Sequence, residues 1–332
     1  MPGFDAGLRD RIGIGSGEVD QRGRVRRNMD LKDELSFGVF LFHRDATVDG
    51  IRFCLRPTQI LDSRGLHLDR FVLESHVVTY APSATVLYLL RAFTPLDRPT
   101  RSSLGVGDVV YSGGTPTQSS VDTAQADDLD TAFVSLAALP NLPGSKEELV
   151  SVADIVQDGS ELLLETNATE SAFKSEPLQD FRMIHLAVHG IADKQFPDRA
   201  ALVLGTSPAS QEDGLLQVRE IRGLALRADL VTLSACDTGN GRLLGQEGIA
   251  SLERAFLLAG AKSVLASLWT ADDIFTTALM KRFYQHLVDG QNEGTALRQA
   301  KLDLLEKFGD GALPIYWAGV TLVGEGGRLP MN

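Results

Sequence analysis

Cysteine is almost missing from this sequence: among 332 residues only Cys54 and Cys236 carry a thiol. Two cysteines cannot build a disulfide framework, and they rule out a structural zinc site made mainly of thiolates. Long apolar runs are missing as well. The longest, in "RMIHLAVHG" and "SVLASLW", fall far short of the roughly 20 residues that span a bilayer. The opening stretch, "MPGFDAGLRDRIG", has no apolar segment of the signal-peptide kind. No transmembrane segment is therefore expected, and the reading is a cytoplasmic protein whose thiols stay reduced. Positive charge is in deficit: 32 Lys and Arg stand against 44 Asp and Glu, a net charge of -12. An acidic surface repels a phosphate backbone, so no direct nucleic-acid partner is expected. There is no internal repeat and no HExxH run or equivalent, and no metal or cofactor is expected.

What is present suits a globular chain with a real core. The hydrophobic fraction is 43% and the charged fraction 23%, enough for one large domain or two modest ones. Residues 1–45 are charged and glycine-rich and read as an extension. Strands are expected at 48–55 ("VDGIRFCL"), 70–79 ("RFVLESHVVT"), 106–113 ("VGDVVYSG") and 161–166 ("ELLLET"). A helix follows Pro82 and the N-cap Ser83. Residues 112–128 are polar, a loop that is a candidate for processing. Ser145 with Glu148 has the spacing of a capping box, as does Thr270 with Asp273.

In the second half, apolar segments at 182–188, 200–205, 228–235, 262–269 and 317–324 read as strands covered on both faces. Helical patterns alternate with them. Ile249, Leu252, Phe256 and Ala259 form one stripe that stops at Gly260, and a further helix stops at Gly290. This alternation predicts an α/β sandwich with a mostly parallel sheet.

In open α/β sheets, sites lie beyond the carboxyl ends of the strands. Two ends stand out. "RMIHLAVHG" delivers His189 and Gly190, and "DLVTLSACDTGNG" delivers Cys236. A thiolate attacks carbonyl carbons, and an imidazole beside it takes the thiol proton and later protonates the leaving amine. The N–H groups of Gly190 and Cys236 are the candidates for holding the oxyanion, because Gly190 lets a carbonyl approach closely. Two readings stay open on these residues alone. The pair is catalytic, or Cys236 is a small buried hydrophobe and His189 a satisfied edge histidine. His185, deeper in the same segment, reads as a packed core histidine, and Cys54 as a buried one.

The chain resembles the CHAT domain family, a branch of the caspase-like (clan CD) cysteine peptidases related to separase. The segments that carry the resemblance are "LPGSKEEL", "FRMIHLAVHG", "ADLVTLSACDTGNG", "GQEGIASLERAFLLAGAKSVLASLWTADD", "LMKRFYQHL" and "ALRQAKL", with "YAPSATVL" upstream. A histidine about 50 residues before the cysteine is also the caspase order. The resemblance implies a caspase-like three-layer sandwich, with residues 46–139 as an N-terminal subdomain, 140–325 as the catalytic subdomain and 326–332 as a tail. It implies a catalytic His189 and Cys236. The upstream "LPF"-like stretch of the family is not intact here, and the tetratricopeptide helices that often accompany it are not found.

The implied reaction is hydrolysis of a protein substrate through a thioester, gated by an activating or inhibitory protein partner. The family likeness further implies roles in bacterial stress, defence or regulated cell death. Asp237, Glu247, Trp269, Asp272 and Asp273 are the candidate substrate pocket, whose acidic residues favour a basic side chain before the cut. The plainer reading of Asp272 and Asp273 is a helix cap and its first-turn charge. A caspase-like regulatory module with little activity and a non-peptidase cysteine hydrolase remain as alternative functions.

Overall fold

Phe181–Ala187 is buried at every position but Arg182, and Leu230–Leu233 and Ser263–Ser267 at all of theirs. Side chains alternate across a strand, so unbroken burial means both faces are covered. The computed structural model describes residues 18–19, 25–26, 38–41, 58–61, 67–92, 98–111, 139–157, 159–191, 200–234, 246–269 and 273–327. The strand expected at 48–55, Cys54 and the 112–128 stretch lie outside them.

In chain order the strands are β1 (Glu18–Val19), β2 (Val25–Arg26), β3 (Gly38–Leu41), β4 (Thr58–Leu61), β5 (His67–Arg70), β6 (Val78–Ala81), β7 (Arg101–Val109) and β8 (Ser160–Glu165). They continue as β9 (Phe181–Ala187), β10 (His189–Ile191), β11 (Ala201–Val203), β12 (Leu215–Gln217), β13 (Leu230–Leu233), β14 (Ser263–Ser267) and β15 (Val320–Gly324). The helices are α1 (Ala84–Ala92), α2 (Pro143–Val156), α3 (Glu170–Ser175), α4 (Val218–Ile221), α5 (Gln246–Ala259), α6 (Asp273–Val288), α7 (Glu293–Phe308) and α8 (Pro314–Trp317). The chain divides into two compact units, Met1–Ser36 and Phe37–Asn332. In the first, β1 and β2 pair antiparallel.

The second unit is built on an eight-stranded sheet in the order β3-β6-β15-β14-β13-β9-β7-β8. All its pairings are parallel except β14 with β15. On one face Ile184, Leu186, Val231, Leu233, Val264 and Ala266 pack with Leu252, Ala255 and Phe256 of α5. On the other, Met183, Leu230 and Leu265 pack with Leu279, Met280 and Phe283 of α6 and with Ala296, Leu297 and Ala300 of α7. The result is the three-layer α/β sandwich, with a mostly parallel sheet, that the sequence predicts. Each Val, Leu, Ile, Met or Phe among these side chains contributes roughly 1.5–3 kcal/mol through burial.

Several local expectations are corrected. The apolar segment at 200–205 is not in the main sheet. Its residues form β11, the middle strand of a separate antiparallel sheet β10-β11-β12. Apolar continuity reports that both faces are covered, not which sheet covers them. The run at 70–79 is broken by a 3-10 turn at Val72–Glu74 before β6 begins. Ser145 and Glu148 do not form a capping box. α2 starts at Pro143, where a missing N–H costs nothing, and its N-cap is Leu142 with no side-chain cap. Ser145 Oγ instead accepts the Asp108 N–H at 2.9 Å and donates to the Leu142 carbonyl at 2.7 Å. Other signals agree with the structure. Ser83 Oγ accepts the Val86 N–H at 3.1 Å at the start of α1. α5 stops at Gly260, whose φ of +116 and approach to the Leu226 carbonyl leave no room for a Cβ.

Candidate active site

Parallel register brings three strand ends to one edge. Leu233 pairs with Leu186 of β9 on one side and with Ala266 of β14 on the other. The Ser234 N–H continues that ladder to the Leu186 carbonyl at 3.0 Å. Beyond Ala187 the chain leaves the main sheet and enters β10, which begins at His189.

His189 is fully buried, and its Nε2 lies 2.7 Å from the Pro140 carbonyl oxygen. A carbonyl only accepts, so Nε2 carries a proton and the neutral ring has its lone pair on Nδ1. The His189 backbone N–H donates to the Tyr111 hydroxyl at 3.1 Å, and that hydroxyl donates to the Val203 carbonyl at 3.0 Å. The phenol and imidazole rings lie 4.8 Å apart, tilted by 54°. Burial pushes the Tyr111 phenol well above its ordinary range, further than the His189 amide pulls it back. The phenol therefore remains a donor at every physiological pH.

The other candidates divide. Gly190 lies in β10, opposite Leu202. Cys236 follows β13 in the sequence but, with Asp237, Thr270 and Asp272, lies outside the described residues. Glu247 falls in the first turn of α5, and Asp273 opens α6. Trp269, just past β14, is held on three sides. Its Nε1–H donates to the Ile315 carbonyl at 2.7 Å, and its own carbonyl accepts the Ser267 hydroxyl at 2.7 Å. Its ring lies so close on Gly319 that a Cβ there would sit 2.6 Å from it.

His185 belongs to a different place. The sequence puts it on the same face as His189, but the chain leaves the main sheet between them. Its ring stacks on Tyr284 of α6 at 5.6 Å, and Nε2 lies 2.7 Å from Glu148 Oε1 of α2, off the line of an aligned hydrogen bond. Both side chains are buried. Tyr284 in turn shares a 2.9 Å hydrogen bond with Thr232. This is the packed core histidine that the sequence suggested, and Glu148 faces it rather than capping a helix.

Among the described residues Glu170, Glu212 and Glu220 are the one acidic group close enough to hold a metal ion. The Lys174 ammonium already fills that space, 2.6, 2.7 and 3.1 Å from the three carboxylates. The cluster is a closed ion-pair network that ties α3 to α4 and the 206–214 segment.

Sequence reasoning missed Tyr111 and Pro140. Tyr111 does lie in the "VGDVVYSG" segment, but a phenol reaching a residue 78 positions away leaves no pattern, and a backbone carbonyl leaves none at all.

The CHAT domain model matches residues 33–325. The chain belongs to the CHAT domain family. It is similar to mouse tetratricopeptide repeat protein 28, 27% identical over 288 residues, covering 74% of this chain and 11% of that protein. It is also similar to the human protein of that name, 31% identical over 115 residues, covering 35% of this chain and 5% of that protein. The CHAT domain thus spans about a tenth or less of these curated relatives. Among solved structures it is similar to the Arg-specific cysteine proteinase gingipain R, with 10% identity, a TM-score of 0.43, and coverage of 76% of this chain and 55% of that one. It is similar too to the Saccharomyces cerevisiae separase–securin complex, with 15% identity, a TM-score of 0.39, and coverage of 75% and 14%. Among the described residues, no helix of this CHAT domain is long and apolar enough to cross a membrane.

Proposed function

We propose that this CHAT domain is a cysteine endopeptidase in which Cys236 is the nucleophile and His189 the general base. The observation that carries the reading is the bond from His189 Nε2–H to the Pro140 carbonyl. It fixes the one tautomer that offers a lone pair on Nδ1, and it does so at the strand edge toward which β13 runs. In the proposed reaction Nδ1 takes the Cys236 thiol proton and the thiolate adds to the scissile carbonyl carbon. The N–H groups of Gly190 and Cys236 hold the oxyanion. Nδ1–H then protonates the leaving amine, which departs and leaves a thioester. Nδ1 next removes a proton from water, the hydroxide displaces the thiolate, and the acid product leaves.

Asp237, Glu247, Asp272 and Asp273 are the proposed acidic residues of the substrate pocket, and Trp269, held through Ile315 and Gly319, is its proposed wall. Together they favour a Lys or Arg side chain before the cut. A partner protein or signal gates the site.

The test is a diverse peptide library incubated with wild-type protein and the Cys236→Ala variant, with cut sites read by mass spectrometry. Cuts by the wild type alone, after Lys or Arg, are expected. Equal cutting by both proteins would remove Cys236 from the mechanism, and a preference for Asp would overturn the acidic pocket.

A further inference from the structure

Three hydrogen bonds and one peptide link close a circuit around His189. The Tyr111 hydroxyl accepts its backbone N–H, the Pro140 carbonyl accepts its Nε2–H, Asn141 follows Pro140 in the chain, and Asn141 Oδ1 accepts the Tyr111 N–H at 3.3 Å. The Tyr111 N–H also reaches the Val109 carbonyl at 3.1 Å, at the end of β7. The same hydroxyl donates to Val203, the residue opposite His189 in the β10–β11 pair. Tyr111 therefore bridges the two strands at the point where the histidine enters the sheet. Its ring also lies against the imidazole.

We infer that Tyr111 is a positioning residue for His189: its hydroxyl sets the backbone of the histidine and its ring limits imidazole rotation, so that Nε2–H stays on Pro140 and Nδ1 stays aimed at the nucleophile. A core phenol with a purely packing role needs one partner for its hydroxyl. This one has two, a donor and an acceptor, and the donor is the backbone of the proposed base. Tyr111 acts through His189, and the inference rests on the proposal that His189 activates Cys236.

Removing the hydroxyl as Tyr111→Phe keeps the ring and frees the backbone. A catalytic group misplaced by about 1 Å costs about a hundredfold, so a shift of about half an ångström is expected to cost about tenfold. The probe is iodoacetamide, with alkylation of Cys236 resolved from that of Cys54 by peptide mass spectrometry across pH 5–9. Wild type, His189→Ala and Tyr111→Phe are compared, with circular dichroism as the check on folding. The expected result is a His189-dependent shoulder in the pH–rate profile of wild type. It should be lost in His189→Ala and reduced about tenfold in Tyr111→Phe at unchanged secondary structure. A Tyr111→Phe profile that overlays wild type while His189→Ala loses the shoulder would overturn the positioning role and leave the base assignment standing. If His189→Ala itself overlays wild type, the assignment of His189 as base falls, and this inference with it. Should Tyr111→Phe fail to fold, the wild-type protein decides. Imidazole nitrogen shifts showing the Nε2–H tautomer and a slowly exchanging His189 amide are expected, and an Nδ1–H tautomer or a freely exchanging amide would overturn the assignment.

Discussion

Glu253 sits in the middle of α5, only 6% exposed, and its Oε1 has no hydrogen-bond partner among the described residues. Burial pushes its carboxyl up to about 8, with Arg254 offsetting only part of the effect. In the fold the carboxyl keeps its proton through neutral pH, whereas in the unfolded chain it ionises near 4.5. The folded state therefore binds more protons between those values. Stability falls as pH rises from about 4.5 to about 8 and levels off above. At about 1.36 kcal/mol per pKa unit, the loss between pH 5 and pH 8 is on the order of 3–4 kcal/mol from this one side chain. Glu293, also buried and pushed up to about 8, adds a loss of the same sign, so the wild-type curve alone cannot isolate Glu253. The difference between wild type and Glu253→Gln can, because a glutamine does not titrate. Urea unfolding at pH 5, 6, 7 and 8 should show the variant gaining several kcal/mol, on the order of 3–4, on wild type across that range, on top of any constant offset. A difference that stays flat with pH would refute the reasoning, since it would mean that Glu253 is ionised in the fold.

Two further substitutions test other parts of the account. Gly319→Ala places a methyl 2.6 Å from the Trp269 ring. It should cost about 1–3 kcal/mol in urea unfolding and shift the tryptophan emission, as overpacking does. Unchanged emission and stability would mean that Trp269 is not a fixed wall. Lys174→Ala leaves Glu170, whose side chain is wholly buried, beside Glu212 and Glu220 with no cation. A loss on the order of 3 kcal/mol at pH 8 is expected. It should shrink toward pH 5, because burial, which already raises the Glu170 pKa, would then let it protonate. An equal loss at both pH values would show that the lysine acts by packing alone.

The sequence reveals most where burial leaves a pattern. Unbroken apolar runs place β9, β13 and β14 at the heart of a parallel sheet, and glycines after α5 and α6 mark their ends with positive φ at Gly260 and Gly290. It misleads where one pattern has two causes. The spacing of Ser145 and Glu148 is that of a capping box, but Pro143 starts the helix two residues earlier and turns Glu148 inward to His185. The run at 200–205 is as apolar as a central strand because β11 is buried in its own small sheet. At the candidate site, the strand-end rule singles out His189 from the sequence, but its two supports are not visible there. The Pro140 carbonyl reaches it across 49 positions and the Tyr111 hydroxyl across 78, and neither distance follows a helix or strand period.

The most direct measurement of the central claim is the peptide-library digest, run with wild type, Cys236→Ala and His189→Ala side by side. The expected result is cuts after Lys or Arg by the wild type and none by either variant. Cutting by wild type that survives in Cys236→Ala or in His189→Ala would contradict a mechanism in which the histidine held by Pro140 activates that thiol.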